Sequence, residues 1–209
     1  MLVWIDCEMT GLDLTRDQLI EVAALVTDGD LNVLGDGVDV LIRPSRQALD
    51  GMSEFVRDMH TKSGLLAELE STTTTMRQAE EQVLSYVRSY VKAPKKAPLA
   101  GNSIGTDRSF LLKDMPELED WVHYRNVDVS SVKELAKRWF PRAYYQAPAK
   151  RGNHRALADI QESIEELTYY REAVFVPTPG PDSETAAAIA TKYAGSLTGL
   201  TPVDPQISA

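Results

Sequence analysis

Asp6 and Glu8, in the stretch VWIDCEMTGLD from Val3 to Asp13, stand one residue apart at the end of a short apolar run. In an extended chain, side chains two apart point to the same face, so the two carboxylates lean together and repel. A divalent cation between them is the commonest arrangement that turns such repulsion into attraction. A bare D-x-E is also common in loops where both acids are merely solvated, so the chemistry depends on what else converges. Asp107, in AGNSIGTDRSFL, falls where a helix begins after a strand, a place the helix dipole favours for any acid. Asp128 ends a strand and is suited to accept loop amides ahead of Ser130 and Ser131, which leaves it outside the metal set. RGNHRALAD, from Arg151 to Asp159, supplies His154 and Asp159. On one helix these two would lie about 140° apart, at about 100° per residue. A helix starting near Arg155 instead leaves His154 on a preceding loop and holds Asp159 rigidly. A movable base beside a fixed ligand is what metal-assisted hydrolysis uses.

Such residues need a scaffold. The chain has 209 residues, 43% of them hydrophobic, which suits one core plus a tail and is too little for two large domains. A single cysteine, Cys7, forbids an intramolecular disulfide and points to a reducing, cytoplasmic setting. Between the two acids it faces the other side of the strand, the ordinary place of a small buried hydrophobe. No stretch approaches the eighteen or so apolar residues of a membrane span, and no basic segment followed by an apolar run precedes the early acids, so no membrane partner is expected. The net charge of −9 argues against gripping long duplex nucleic acid through many phosphates. It remains compatible with a site that binds cations and, through them, a few phosphates.

Leu2 to Ile5 reads as a buried strand, Gln18 to Asp28 as a second and Val33 to Pro44 as a third, joined tightly enough for an antiparallel meander. Ser53 to Leu69 is helical with a break near Ser63-Gly64. Thr75 and Gln78 form a capping box ahead of an amphipathic helix. A short strand before Asn102 leads to a helix from about Thr106 to Met115 that Pro116 ends. Tyr124 to Val129 reads as a fifth strand, Ser131 with Glu134 as the cap of a helix that stops before Pro141, and Arg155 to Ala173 as the last strong helix. From Pro177 to Ala209 the composition turns to Pro, Gly, Thr, Ser and Ala, the signature of a mostly disordered tail. The order predicts an α/β domain with helices on a mixed sheet over residues 1–176.

With these residues placed, the sequence resembles the DEDDh group of 3′ to 5′ exonucleases, most closely the oligoribonucleases. DCEMTGLD (Asp6, Glu8), GNSIGTDRSFL (Asp107) and HRALAD (His154, Asp159) follow the family order, and HYRNVDVSSVKELAKRW extends the likeness, which covers roughly Met1 to Arg171. D-x-E, then N-x4-D, then H-x4-D at these spacings is specific where D-x-E alone is weak. The resemblance implies a ribonuclease H-like fold with a five-stranded sheet, an antiparallel three-strand meander plus two parallel strands, flanked by helices. It implies that Asp6, Glu8, Asp107 and Asp159 hold two divalent cations, Mg²⁺ or Mn²⁺, and that His154 is a general base whose protonation in acid would stop the reaction. The implied substrate is very short single-stranded RNA, down to dinucleotides, cut to 5′-mononucleotides. Leu12 matches a wedge between two bases, and Phe55 lies where relatives often carry Trp as a stacking platform. His60, Ser103, Arg125 and Ser130 match residues that close around the 5′ end and phosphate, and Tyr124 matches one that a partner subunit supplies in a homodimer.

Two other readings remain open on the sequence. A proofreading-type exonuclease on longer DNA or RNA ends would keep fold and chemistry. An acidic interaction module would need the carboxylates only for solvation or a structural cation.

Overall fold

The computed structural model describes residues 1–149 and 154–195. The first strand, β1 (Leu2–Met9), is buried on both faces: Val3, Ile5, Cys7 and Met9 enter one apolar cluster while Leu2 and Trp4 enter another. That alternation is the two-residue period of an extended chain. β1 pairs antiparallel with β2 (Leu19–Thr27), and β2 with β3 (Val33–Leu41), which forms the meander. β4 (Pro98–Gly101) lies parallel to β1 on its other side and β5 (His123–Asp128) parallel to β4, giving the order β3-β2-β1-β4-β5. β1 runs on through Met9, so Asp6 and Glu8 lie inside a strand expected to finish at Ile5.

Three short helices follow β3: α1 (Arg46–Asp50), α2 (Glu54–Lys62) and α3 (Leu65–Leu69). The break between the last two falls at Ser63-Gly64, where Gly64 takes φ 81°, a left-handed conformation that favours glycine. These helices share a small cluster of their own, Met52, Leu65 and Leu69 on Ile20 of β2. α4 (Met76–Tyr90) starts with the Thr75–Gln78 capping box and presses Ala79, Val83 and Val87 onto the face of Val3 and Ile5, joined there by Phe110 and Leu111 of α5 (Gly105–Asp114). α9 (Ala156–Ala173) covers the opposite face, with Ile160, Ile164 and Leu167 against Trp4, Ala23, Leu25 and Ala100. Truncating Ile160 or Leu111 to alanine would cost about 2–5 kcal/mol through lost burial and the cavity left behind.

Four local expectations change. Pro116 ends α5 but also occupies the first position of a further helix, α6 (Pro116–Trp121), and Pro141 begins α8 (Pro141–Tyr145) after α7 (Val129–Trp139). Proline suits that position because its missing N–H has no partner there anyway. The cap of α7 is Asp128, whose side chain accepts from Ser130 N; Ser131 and Glu134 already lie in the helix. α1 had no counterpart in the sequence reading; the side chain of Ser45 caps it, accepting from Ala48 N.

The contacts divide the chain into Met1–Val174 and a second unit from Phe175. In that second unit the expected disordered tail is corrected over α10 (Ser183–Tyr193), where Asp182 accepts from Thr185 N at 2.8 Å and an alanine-rich run supplies helix propensity. The rest of that expectation, from residue 196 on, lies outside the described residues. None of the described helices is long and apolar enough to cross a membrane.

Candidate active site

Asp6 and Glu8 continue the row of Leu2 and Trp4 on the face that α9 covers. Parallel pairing of Trp4 with Ala100 sets β4 beside β1, and the chain leaving β4 enters α5 with Asp107 in its first turn. There the Cys7 backbone N–H donates to Asp107 Oδ1 at 3.1 Å. Asp159 sits in the first turn of α9, next to Ile160, which anchors the helix on Trp4. Four acids from three segments of the chain thus come close enough to act on one another's charge.

Their mutual effect shows in their protonation. Burial, then the charge of Asp107, then that of Glu8, hold Asp6 well above the usual carboxylate range. Burial and the charges of Glu21, Asp159 and Asp107 push Glu8 up to about 8, with Arg155 opposing. Burial raises Asp107 to about 7 despite the Cys7 amide, which favours the ionised form. Buried hard oxygen donors that repel one another in this way suit a divalent cation.

His154 is exposed and stands just before α9. Its φ is 48°, the left-handed region that a non-glycine residue occupies only when its surroundings hold it there. Donor atoms of Glu8, His154 and Asp159 lie within 4.8 Å of one another. The histidine therefore joins the acids, as its separation from the helix suggested.

Apart from His60, the residues matched to substrate contacts fall into four places. Leu12 is 73% exposed at the tip of a loop that Asp17 braces: Asp17 accepts from Thr10 Oγ1 at 3.1 Å and from Asp13 N at 2.8 Å. Phe55, 77% exposed on α2, lines a cavity of about 680 Å³ together with Met59, Lys62, His154 and Arg155. Ser103 and Ser130 share a hydrogen bond of 3.1 Å between their hydroxyls, and Asp128 Oδ1 accepts the backbone N–H of both at 2.9 Å. Tyr124 and Arg125 lie on the edge strand where pairing jumps from Pro98–His123 to Leu99–Asn126, a bulge that turns both outward. Arg125 Nε donates to Tyr124 OH at 3.1 Å.

His60 differs from the others in its burial. It is fully buried; Nε2 is 2.9 Å from the Met9 carbonyl and Nδ1 is 3.8 Å from Glu8 Oε2 with no hydrogen-bond partner. Burial lowers its pKa, so the ring is held neutral beside the acids. It braces the end of β1 through the Met9 carbonyl.

Two further residues escaped the sequence reading. Arg155 adjoins His154, and Glu21 pairs directly with Glu8 across β1 and β2. The available signal was Glu21 itself, one acid inside the apolar run LIEVAALV.

The family described as RNase_T, exonuclease, matches residues 3–167. An oligoribonuclease of Cutibacterium acnes is 69% identical, covering 95% of this chain and 98% of its own length. That of Streptomyces coelicolor is also 69% identical, over 92% and 96%, and that of Mycobacterium avium 59% identical, over 90% and 88%. Among solved structures, the zinc-bound form of the E. coli exonuclease I complex with single-stranded DNA aligns with TM-score 0.59 at 16% identity, covering 82% of this chain. Exonuclease I of Methylocaldum szegediense aligns at 0.55 and 20% identity over 83%. This chain spans 40% of the length of each, and the likeness is one of fold. Taken with the extent of the sequence match, these findings place the chain in the oligoribonuclease family of 3′ to 5′ exoribonucleases.

Proposed function

We propose that this exoribonuclease acts on the last stage of RNA decay, cutting dinucleotides and other very short single strands to 5′-mononucleotides. Asp6, Glu8, Asp107 and Asp159 would hold two divalent cations, Mg²⁺ or Mn²⁺, which lower the pKa of water and offset charge on the phosphate. The observation that carries the reading is the convergence of Glu8, His154 and Asp159 donors within 4.8 Å. A structural cation site has no use for an exposed imidazole; hydrolysis does, as the group that takes the attacking water's proton. In-line attack at phosphorus then breaks the bond to the 3′ oxygen of the preceding nucleotide.

Leu12, exposed on its braced loop, serves as the wedge between two bases, and Phe55 as the platform on which one of them stacks. Stacking is worth about 1–3 kcal/mol per base and tolerates any sequence, which suits a scavenging enzyme. Ser103, Ser130 and Arg125 close around the 5′ phosphate, so a longer chain finds its path occupied. Tyr124, exposed at the sheet edge, is the residue that a homodimer would bring to its partner's substrate. A cytoplasmic setting follows from the same role.

The deciding experiment is hydrolysis of a 5′-labelled diribonucleotide beside a labelled twentymer, in Mn²⁺ and in EDTA, by the wild type and Asp159→Ala. Rapid, metal-dependent cleavage of the dinucleotide, lost in the variant and far slower on the long chain, is expected. Equal rates on both substrates would shift the reading to a proofreading-type exonuclease.

A further inference from the structure

Arg155 has no place in the chemistry described so far, yet it is held by two carboxylates beside it. Its Nε and Nη2 each lie 3.0 Å from Glu21 Oε1, while Nη1 meets Glu68 Oε1 at 2.7 Å and Nη2 meets Glu68 Oε2 at 3.0 Å. Glu21 is fully buried, and its second oxygen accepts the Ala156 N–H at 3.3 Å. One planar guanidinium is therefore shared by two carboxylates from different parts of the fold, an arrangement that a lysine's point charge cannot reproduce.

The two anchors have different consequences. Glu21 belongs to β2, directly opposite Glu8, so the first anchor ties the start of α9 to the strand pair that carries the acids. Glu68 belongs to α3, which follows α2 and Phe55 through Gly64, so the second anchor ties the same point to the stacking platform. His154 directly precedes Arg155, and its left-handed backbone needs something to hold it. His154, Arg155 and Phe55 line one cavity.

We infer that Arg155 is a positioning residue: its fork between Glu21 and Glu68 fixes His154 over the acids and joins the base to the platform that stacks the substrate. The inference rests on the reading of His154 as the general base. Arg155 touches no reacting atom. Its effect on the reaction is exerted through His154, the residue it directly follows.

A double-mutant cycle on diribonucleotide hydrolysis in Mn²⁺ tests this, with His154→Ala, Arg155→Ala and the pair. His154→Ala is expected to lower kcat by about 100-fold or more, and Arg155→Ala by about 10- to 100-fold with KM changed much less. Once His154 is gone, adding Arg155→Ala should lower kcat by less than about 2-fold, because a residue that acts through another contributes nothing after its partner is removed. Guanidinium ion should restore part of the kcat of Arg155→Ala and none of that of the pair. Should Arg155→Ala not fold, Arg155→Lys and Glu68→Gln carry the test. The first should lose kcat like the alanine variant, and the second, which frees the platform end alone, should raise KM more than it lowers kcat. Full kcat in Arg155→Ala or Arg155→Lys beside an impaired His154→Ala would overturn the positioning role and leave the base intact. Losses that multiply in the pair would do the same. Undiminished activity in His154→Ala would instead remove the base reading on which the inference stands.

Discussion

Glu8 and Glu21 face each other as register partners on adjacent antiparallel strands, and Arg155 is hydrogen-bonded to Glu21. Like charges set directly opposite in a sheet are destabilising. The fold pairs Glu21 with the Arg155 guanidinium and leaves Glu8 pushed up to about 8. The site is thus strained electrostatically, and a cation would relieve it.

The pH dependence of stability follows. Glu8 at about 8 and Asp107 at about 7 stand above their ordinary values of 4.5 and 3.8. An acid whose folded pKa is raised binds its proton more tightly when folded, so the stability it contributes is present at low pH and lost as pH climbs from the unfolded to the folded value. In EDTA the protein should melt at a lower temperature at pH 8 than at pH 5.5, and Mn²⁺ should raise Tm more at pH 8. Thermal melts in the four conditions check this; equal Tm at both pH values in EDTA would mean that the buried acids are not opposing one another.

Asp6→Asn removes one charge from the cluster while keeping its shape. Activity should fall by at least about 1,000-fold, on the order of 4 kcal/mol of barrier, yet Tm in EDTA at pH 8 should rise. Loss of activity together with a lower Tm would indicate a packing role for Asp6.

A Cβ on Gly11 would lie 2.3 Å from Asp17 Oδ2, the carboxylate that braces the Leu12 loop. Gly11→Ala must displace either one, so KM for a dinucleotide should rise several-fold while kcat changes little, at a stability cost of about 1–3 kcal/mol. Steady-state kinetics with a thermal melt separate the two effects.

Phe55 is exposed and contributes little to the core, so its replacement should read almost purely on binding. Phe55→Ala is expected to raise dinucleotide KM by about 5- to 100-fold, the loss of one stacked base. Phe55→Trp, with a larger ring face, should lower it. No response of KM to either change would remove Phe55 from the substrate path.

Arg108 hydrogen-bonds Glu119 Oε1 at 2.6 Å and the carbonyls of His123 and Tyr124 at 3.0 and 2.9 Å, holding the bulge that presents Tyr124 and Arg125. Arg108→Ala strands Glu119 and should cost about 3–5 kcal/mol. It should also narrow the preference for a 5′-phosphorylated dinucleotide over a longer strand, measured as the ratio of their kcat/KM values.

Features that rest on neighbours in the chain were legible from the residues alone. Alternation in VWIDCEM placed Asp6 and Glu8 on one face and Cys7 on the other; the Thr75–Gln78 box and the Ser63-Gly64 break emerged as read. Separation of His154 from α9 was equally legible, because 100° per residue keeps His154 and Asp159 from sharing a helical face. Local cues misled at Pro116 and Pro141, each of which starts a helix, and along Ser183–Tyr193, where small residues signalled disorder but also favour helix once Asp182 caps them. What crosses between segments was set by the packed fold. The burial of His60 beneath β1, the pairing of Glu8 with Glu21 and the sharing of Arg155 between Glu21 and Glu68 depend on strand register and on helices packed across the sheet. No residue type or spacing encodes such contacts, because they form only when distant segments are brought together by burying their apolar faces.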